Sequence, residues 1–321
     1  MIIESDFTPA SGMRNPHIQT IWASMVRRLS APLTRRERLE LPDGDFIDID
    51  HLKGNSPLRV CVFHGLEGSI QSNYAKGILN ALAVHGIRAT FVHFRGCSET
   101  PNRLLRSYHS GQTADMRYLF ETLQQREPES PLIAVGYSLG ANTLLKYLGE
   151  SQHDSLLEFA VAICPPFSLA LTAQRMNRGA SRIYERYLVS KLQSSLLRKM
   201  TVLGETPYDK PTVSKLNTFE LFDDAVTAPL NGFNGVQDYY TRASCTPFLS
   251  DIRTPCHIVA SRDDPFYYPS SLPVASQLSN TTRMELSDTG GHVGYVGRDS
   301  SGKLEYWLER RIAQLIVETM Q

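Results

Sequence analysis

No charge of either sign predominates in this 321-residue chain: Lys+Arg and Asp+Glu both number 33, for a formal net charge of zero. A nucleic-acid binder needs a basic excess, so that class is set aside. No apolar run approaches the length of a bilayer crossing, which argues against a membrane span. Residues 1–9 carry two acids and no basic stretch, so they do not read as a signal peptide. Cysteine is scarce and scattered, standing singly at 61, 97, 164, 245 and 256. With no C-x-x-C pair and no Cys/His metal spacing, neither a metal site nor a disulfide framework is expected. An odd, dispersed set suits a reducing cytoplasm. Cys61, Cys164 and Cys256 fall in predicted strands, where they read as small core residues. Neither G-x-x-x-x-G-K-[ST] nor a G-x-G-x-x-G after a strand is present, which disfavours a nucleotide enzyme. There is no internal repeat or low-complexity tract.

What is present centres on Gly136-Tyr137-Ser138-Leu139-Gly140. An apolar run at 132–135 precedes it and a helix-forming stretch at 141–148 follows. That is strand, sharp turn, helix, with a serine at the apex and its hydroxyl pushed out of the sheet edge. Side chains at 136 or 140 would collide where strand and helix pass close together. The helix N-terminus behind Ser138 favours developing negative charge. The bland alternative is a buried turn serine that only caps the helix.

Partners for such a serine lie downstream in the order this turn requires. Residues 256–260 read as a short buried strand running into Ser261-Arg262-Asp263-Asp264-Pro265. Residues 283–286 form another, ending in Thr289-Gly290-Gly291-His292. Ser138 would be the nucleophile and His292 the base that takes its proton. An acid would orient the imidazole and stabilise the imidazolium. Both aspartates compete for that role. Asp263 is preferred because it directly follows the strand, while Asp264, before proline, suits bonding the turn backbone. An oxyanion hole is readable too. The apolar strand at 58–63 runs into His64-Gly65-Leu66-Glu67-Gly68, where the backbone N–H of Leu66 would be one donor. The N–H of Leu139, after the nucleophile, would be the other.

With these residues in view, the chain resembles the YheT-type branch of the α/β-hydrolases, also called the AB-hydrolase-4 family. The likeness rests on Asn15-Pro16-His17-Ile18-Gln19-Thr20, on His64 to Ser69, on Phe94-Arg95-Gly96-Cys97-Ser98 and on Gly136 to Asn142. The Asp263-Asp264-Pro265-Phe266 and Gly291-His292 segments fit the same pattern. The resemblance implies a serine hydrolase of carboxylesterase or lipase type, whose membrane-bound eukaryotic relatives act on phospholipids or medium-chain acyl esters. For Asn15, His17, Gln19 and Thr20, hydrogen bonds tying the N-terminal segment to the body are favoured over a role in the site. Arg95 is expected in a structural ion pair rather than against an anionic substrate.

The remaining pattern predicts an α/β-hydrolase fold: a mostly parallel eight-stranded sheet with helices on both faces and a helical cap insertion. Residues 35–41 and 46–52 alternate as an opening antiparallel hairpin. Strands at 58–63, 87–94, 131–136 and 159–164 then alternate with helices near 74–85, 111–126 and 139–149. The rhythm stops over 165–247, which is mixed helical and too long for one crossover. Residues 1–321 thus read as a single domain, with 165–247 as the cap inside it. Cap residues such as Phe167, Leu169, Leu171, Met176, Tyr184 and Leu188 could bind an acyl chain. A terminal helix is expected over 304–320. The expected activity is cleavage of a small acyl ester of short to medium chain length, without metal or organic cofactor. The same triad would serve acyl transfer or thioester hydrolysis. A non-catalytic binding module would be favoured by a missing triad member, and none is missing.

Overall fold

The computed structural model describes residues 1–204 and 206–319. Eleven strands run in chain order: β1 (Ile2–Glu4), β2 (Thr34–Glu40), β3 (Phe46–Leu52), β4 (Arg59–Phe63), β5 (Arg88–Val92), β6 (Leu132–Tyr137), β7 (Leu157–Ile163), β8 (Cys256–Ser261), β9 (Thr282–Ser287), β10 (Val296–Arg298) and β11 (Leu304–Tyr306). Nine of them form one sheet in the order β1-β9-β8-β7-β6-β4-β5-β3-β2. All neighbours pair in parallel except β2 with β3 and β3 with β5. The apolar segments of β4 and β6 are buried on both faces, as the middle of a parallel sheet demands. Along β4, Cys61 and Phe63 enter one core and Val60 and Val62 the other, following the two-residue period of a strand. Strand β2, Thr-Arg-Arg-Glu-Arg-Leu-Glu, closes one edge with charge, which discourages pairing with another chain.

Helices cover both faces. Early in the chain α1 spans Pro16–Ile21, α2 Asn73–Val84, α3 Thr113–Arg126 and α4 Leu139–Ser151. Met116 and Leu119 of α3 and Leu144 and Leu148 of α4 pack into one core. Ile78 and Leu82 of α2 pack into the other, with Ile312 and Ile316 from the C-terminal helix. Between β7 and β8 lie α5 (Leu169–Met176), α6 (Arg182–Leu203), α7 (Lys210–Lys215), α8 (Phe219–Phe222), α9 (Ala228–Leu230) and α10 (Val236–Ala243). A 3-10 turn, Thr246–Asp251, then returns the chain to α4. The C-terminal helix is α11, Trp307–Glu318. No described helix is long and apolar enough to cross a membrane.

The sheet has nine strands where the sequence pattern predicts eight. The extra one, β1, is three residues long and is held on the edge by β9, with the Met1 N-terminus bonded to the Thr282 carbonyl at 2.7 Å. Three residues carry too little periodicity to announce a strand. The terminal helix starts at Trp307 rather than at 304, because Leu304–Tyr306 pairs with Val296–Arg298 as a small hairpin. Met320, included in the expected helix, lies outside the described residues.

Strand order places the chemistry. The sheet grows outward in both directions from β4, with β5 on one side and β6 on the other. The loops leaving β4 and β6 therefore meet at one carboxyl edge, where doubly wound sheets bind ligands. Arg95, after β5, is buried among acids: it pairs bidentately with Asp115 at 2.7 Å and reaches Asp43 and Asp45. The expected structural ion pair is what the fold contains.

Candidate active site

Ser138 stands at the end of β6 with φ 51° and ψ −116°, a conformation rare for any residue but glycine. The turn is tight. A Cβ on Gly140 would lie 2.6 Å from the His64 carbonyl oxygen, and one on Gly136 2.6 Å from that of Gly140. These contacts keep both positions free of side chains, and the Gly140 contact brings the loop after β4 against the Ser138 turn. Asn142, on the first turn of α4, is wholly buried. Its amide donates to the Ser110 and Ala243 carbonyls at 2.8 Å and accepts the Cys245 N–H at 2.9 Å, anchoring the helix behind Ser138.

His292 reaches Ser138 from the loop after β9. The Ser138 hydroxyl donates to Nε2 over 2.9 Å, which leaves the imidazole proton on Nδ1. That Nδ1–H donates to Oδ2 of Asp264 at 2.7 Å. The acid in contact with the histidine is therefore Asp264 and not Asp263. Choosing between them by closeness to the strand fails because a carboxylate has two acceptor oxygens. Asp264 does bond the turn backbone, with Oδ1 accepting the Phe266 N–H at 2.8 Å, and still has Oδ2 for His292. Asp263 faces the histidine loop instead, and its Oδ1 accepts the Gly291 N–H at 2.9 Å. Desolvation raises its carboxyl, and its Oδ2 is buried without a partner among the described residues. Phe266 lies flat on the His292 ring, with centroids 3.7 Å apart and planes 7° from parallel.

The loop after β4 is pinned on either side of Leu66. The Gly65 N–H donates to the Tyr74 hydroxyl at 2.9 Å, and the Glu67 N–H to that of Tyr108 at 2.7 Å. Between them, the Leu66 N–H has no partner among the described residues. The Leu139 N–H opens α4, where helical N–H groups are unpaired by geometry. His64 sets the turn: burial drives its imidazole down to about 3, so it stays neutral. Its Nε2 accepts the Phe94 N–H at 3.1 Å and its Nδ1–H donates to the Gly65 carbonyl at 2.6 Å.

Over Ser138 lies a cavity of about 100 Å³. Its wall includes Leu66 and Leu139, with Leu169, Met176, Leu188 and Leu192 from the helices between β7 and β8. Of the six residues that the sequence offers for an acyl chain, Leu169, Met176 and Leu188 line it. Phe167 is instead in the core, Leu171 is exposed, and Tyr184 packs against His17 and Phe266. The one metal-capable group among the described residues, Cys164, Asp264 and His292, is this same site plus a buried thiol. Its histidine nitrogens are engaged with Asp264 and Ser138.

Residues 59–299 match the family described as alpha/beta hydrolase fold. The chain belongs to the α/β-hydrolase family. YheT, a candidate esterase of Escherichia coli (strain K12), is 37% identical over 96% of this chain and 92% of its own length. The monoacylglycerol lipase of Saccharomyces cerevisiae is 30% identical over 85% of this chain, which spans 62% of that protein. Among solved structures, the Pyrococcus furiosus esterase Pf2001 superposes with a TM-score of 0.58 over 99% of this chain and 98% of its own, at 14% identity. At that identity the likeness concerns the fold. The chain is thus an esterase-type α/β-hydrolase of the YheT branch.

The N-terminal segment of this hydrolase has a physical role that its composition does not disclose. Asn15 caps α1, accepting the His17 and Ile18 N–H groups at 2.9 and 3.2 Å. Gln19 is fully buried and bonds both ways with Val296, accepting its N–H at 2.6 Å and donating to its carbonyl at 3.2 Å. Thr20 donates to the Pro16 carbonyl at 2.8 Å and accepts the His292 N–H at 2.9 Å. A Cβ on Gly291 would lie 2.5 Å from the Pro16 carbonyl oxygen, so the histidine loop lies directly on α1. Of the four residues expected to tie this segment to the body, Gln19 and Thr20 do so, and the tie ends on the backbone of His292; Asn15 bonds only within α1, and His17 bonds the Tyr184 hydroxyl at 3.0 Å.

Thr20→Val leaves the His292 N–H without an acceptor, which costs about 1–3 kcal/mol for a buried group. The expected result is a kcat lowered about ten- to hundredfold with KM little changed. Thr20→Ser should restore most of the rate. Steady-state kinetics of the three proteins on one ester checks this.

Proposed function

We propose that the protein hydrolyses carboxylic esters through an acyl-enzyme on Ser138. The observation that carries this reading is the continuous hydrogen-bonded chain Ser138–His292–Asp264, at 2.9 and 2.7 Å. As the Ser138 oxygen bonds to the ester carbonyl carbon, its proton passes to Nε2 of His292. Asp264 holds the imidazolium. The carbonyl oxygen gains negative charge and receives the N–H groups of Leu66 and Leu139; such donors each lower a barrier by about 3 kcal/mol. The intermediate collapses by breaking the bond to the alcohol, which leaves with the proton from His292. Water then attacks the acyl-enzyme with His292 again as base, and the acid departs.

Residues 165–247 act as a cap on this site within a single domain. Contacts from α6 and from Ser181, its N-cap residue, dock the cap on the body. The Ser181 hydroxyl donates to the Pro265 carbonyl at 2.7 Å, the Ser195 hydroxyl to Glu67, and the Lys199 ammonium to Ser107 at 2.7 Å. A roof over Ser138 excludes water from competing side reactions and supplies the wall that reads the acyl chain. At about 100 Å³, the cavity is far below the roughly 300 Å³ that a drug-sized ligand fills. It suits short to medium acyl chains. The five cysteines are all free, which fits a reducing compartment, and we place the enzyme in the cytoplasm.

A panel of p-nitrophenyl esters of increasing acyl length, run beside fluorophosphonate labelling, tests the reading. Labelling at Ser138 with a rate maximum at short to medium chains is expected; an unlabelled Ser138 would refute it. Met176→Trp should fill part of the cavity and move the preferred chain towards shorter acyl groups, with Ser138 labelling retained. A chain-length profile unchanged by that substitution would remove the cap from specificity.

A further inference from the structure

The cavity over Ser138 is apolar along much of its wall, yet it also holds a buried acid. Asp223, between α8 and α9, lines it and is 9% exposed. Each of its oxygens takes one hydroxyl proton: Oδ1 from Thr227 at 2.7 Å and Oδ2 from Tyr240 at 2.9 Å. Both donors line the same cavity. No lysine or arginine among the described residues pairs with this carboxyl, and burial raises it to about 6. From α5, Thr172 also lines the cavity, and its Oγ1 is buried with no hydrogen-bond partner among the described residues. Asp223, Thr172 and Tyr240, whose hydroxyl holds Asp223, thus line one cavity.

A buried carboxyl and an unpaired hydroxyl both oppose folding, and apolar residues would serve a purely hydrocarbon chain better. The cost is offset when a ligand supplies the missing partners. Asp223 has acceptor capacity left, and Thr172 has a proton to give. An alcohol oxygen carries one donor and two acceptor lone pairs, so it is a group with the chemistry to satisfy both. An ammonium can only donate and would leave Thr172 unpaired, and an anion would meet Asp223 as a like charge.

Building on the esterase reading, we propose that this part of the cavity binds a hydroxyl group of the substrate, which donates to Asp223 and accepts from Thr172. The hydroxyl can belong to the acyl chain or to the alcohol being released. Two substrate pairs separate these sources: terminally hydroxylated p-nitrophenyl hexanoate against p-nitrophenyl hexanoate, and glyceryl hexanoate against propyl hexanoate. In one pair or both, kcat/KM should favour the hydroxylated member by about tenfold or more. Asp223→Leu should bring that ratio close to one. Thr172→Val should lower it severalfold, and because the lost hydroxyl has no partner among the described residues, this variant keeps the test open if the first fails to fold. No preference in either pair overturns the proposal, as does a preference that survives both substitutions. Fluorophosphonate labelling tells the two readings apart. A protein that labels at Ser138 and cleaves the plain esters without preference refutes only the hydroxyl site. One that neither labels nor cleaves any ester refutes both.

Discussion

Ser138→Ala is expected to lower ester turnover by about a millionfold, to the level that binding and oxyanion donors alone sustain, as found for serine hydrolases that lose the nucleophile. Labelling by fluorophosphonate should vanish with it. The fold should persist, because the bonds that hold the elbow do not use the hydroxyl. The Ser138 N–H donates to the Ile163 carbonyl at 2.8 Å, and its carbonyl accepts the Asn142 N–H at 3.0 Å. Alanine in this position keeps the strained φ of 51°, so a small loss of stability is compatible with the reading. Circular dichroism and a melting curve on the same sample separate a chemical defect from unfolding. Labelling that persists in the alanine variant would move the nucleophile elsewhere.

The second large effect distinguishes two adjacent aspartates. Asp264→Asn should lower kcat by about ten-thousandfold, since an amide in place of the carboxylate favours the wrong imidazole tautomer and cannot stabilise the imidazolium. Asp263→Asn should cost less than about tenfold, because an amide oxygen can still accept the Gly291 N–H that Asp263 now holds. Asp263→Ala removes that acceptor and loosens the histidine loop, so it should fall between the two. Parallel kcat measurements on the three variants decide the matter. If Asp263→Asn proves the more damaging, Asp264 does not orient His292 in the working enzyme.

These two aspartates show where the sequence stops being sufficient. A strand followed by Asp-Asp-Pro announces an acid at the sheet edge, and a strand followed by Gly-Gly-His announces the histidine. Which of two neighbouring carboxylates turns towards the imidazole depends on a rotation of one residue within a turn, and no periodicity encodes it. Asp264 looked committed to the backbone of its turn, and it is, but with only one of its two oxygens. The N-terminal segment teaches the same lesson. Gln19 and Thr20 are polar, and in one dimension nothing shows that they are buried against a loop some 270 residues later.

Short-range chemistry gave the remainder away. Apolar runs and their spacing determined the parallel sheet, the opening hairpin and the helical break after β7, because burial on one face or two is written in residue type. Glycine at 136 and 140 determined the turn that carries Ser138, since backbone approaches that close admit no side chain. The tertiary structure alone decided three things. It selected Asp264 over Asp263. It laid α1 under the histidine loop. It brought Asp223, Thr172 and Ser138 to one cavity. Each of these joins residues distant in the chain through the directions of single side chains, and those directions are fixed only when all the packing around them is in place.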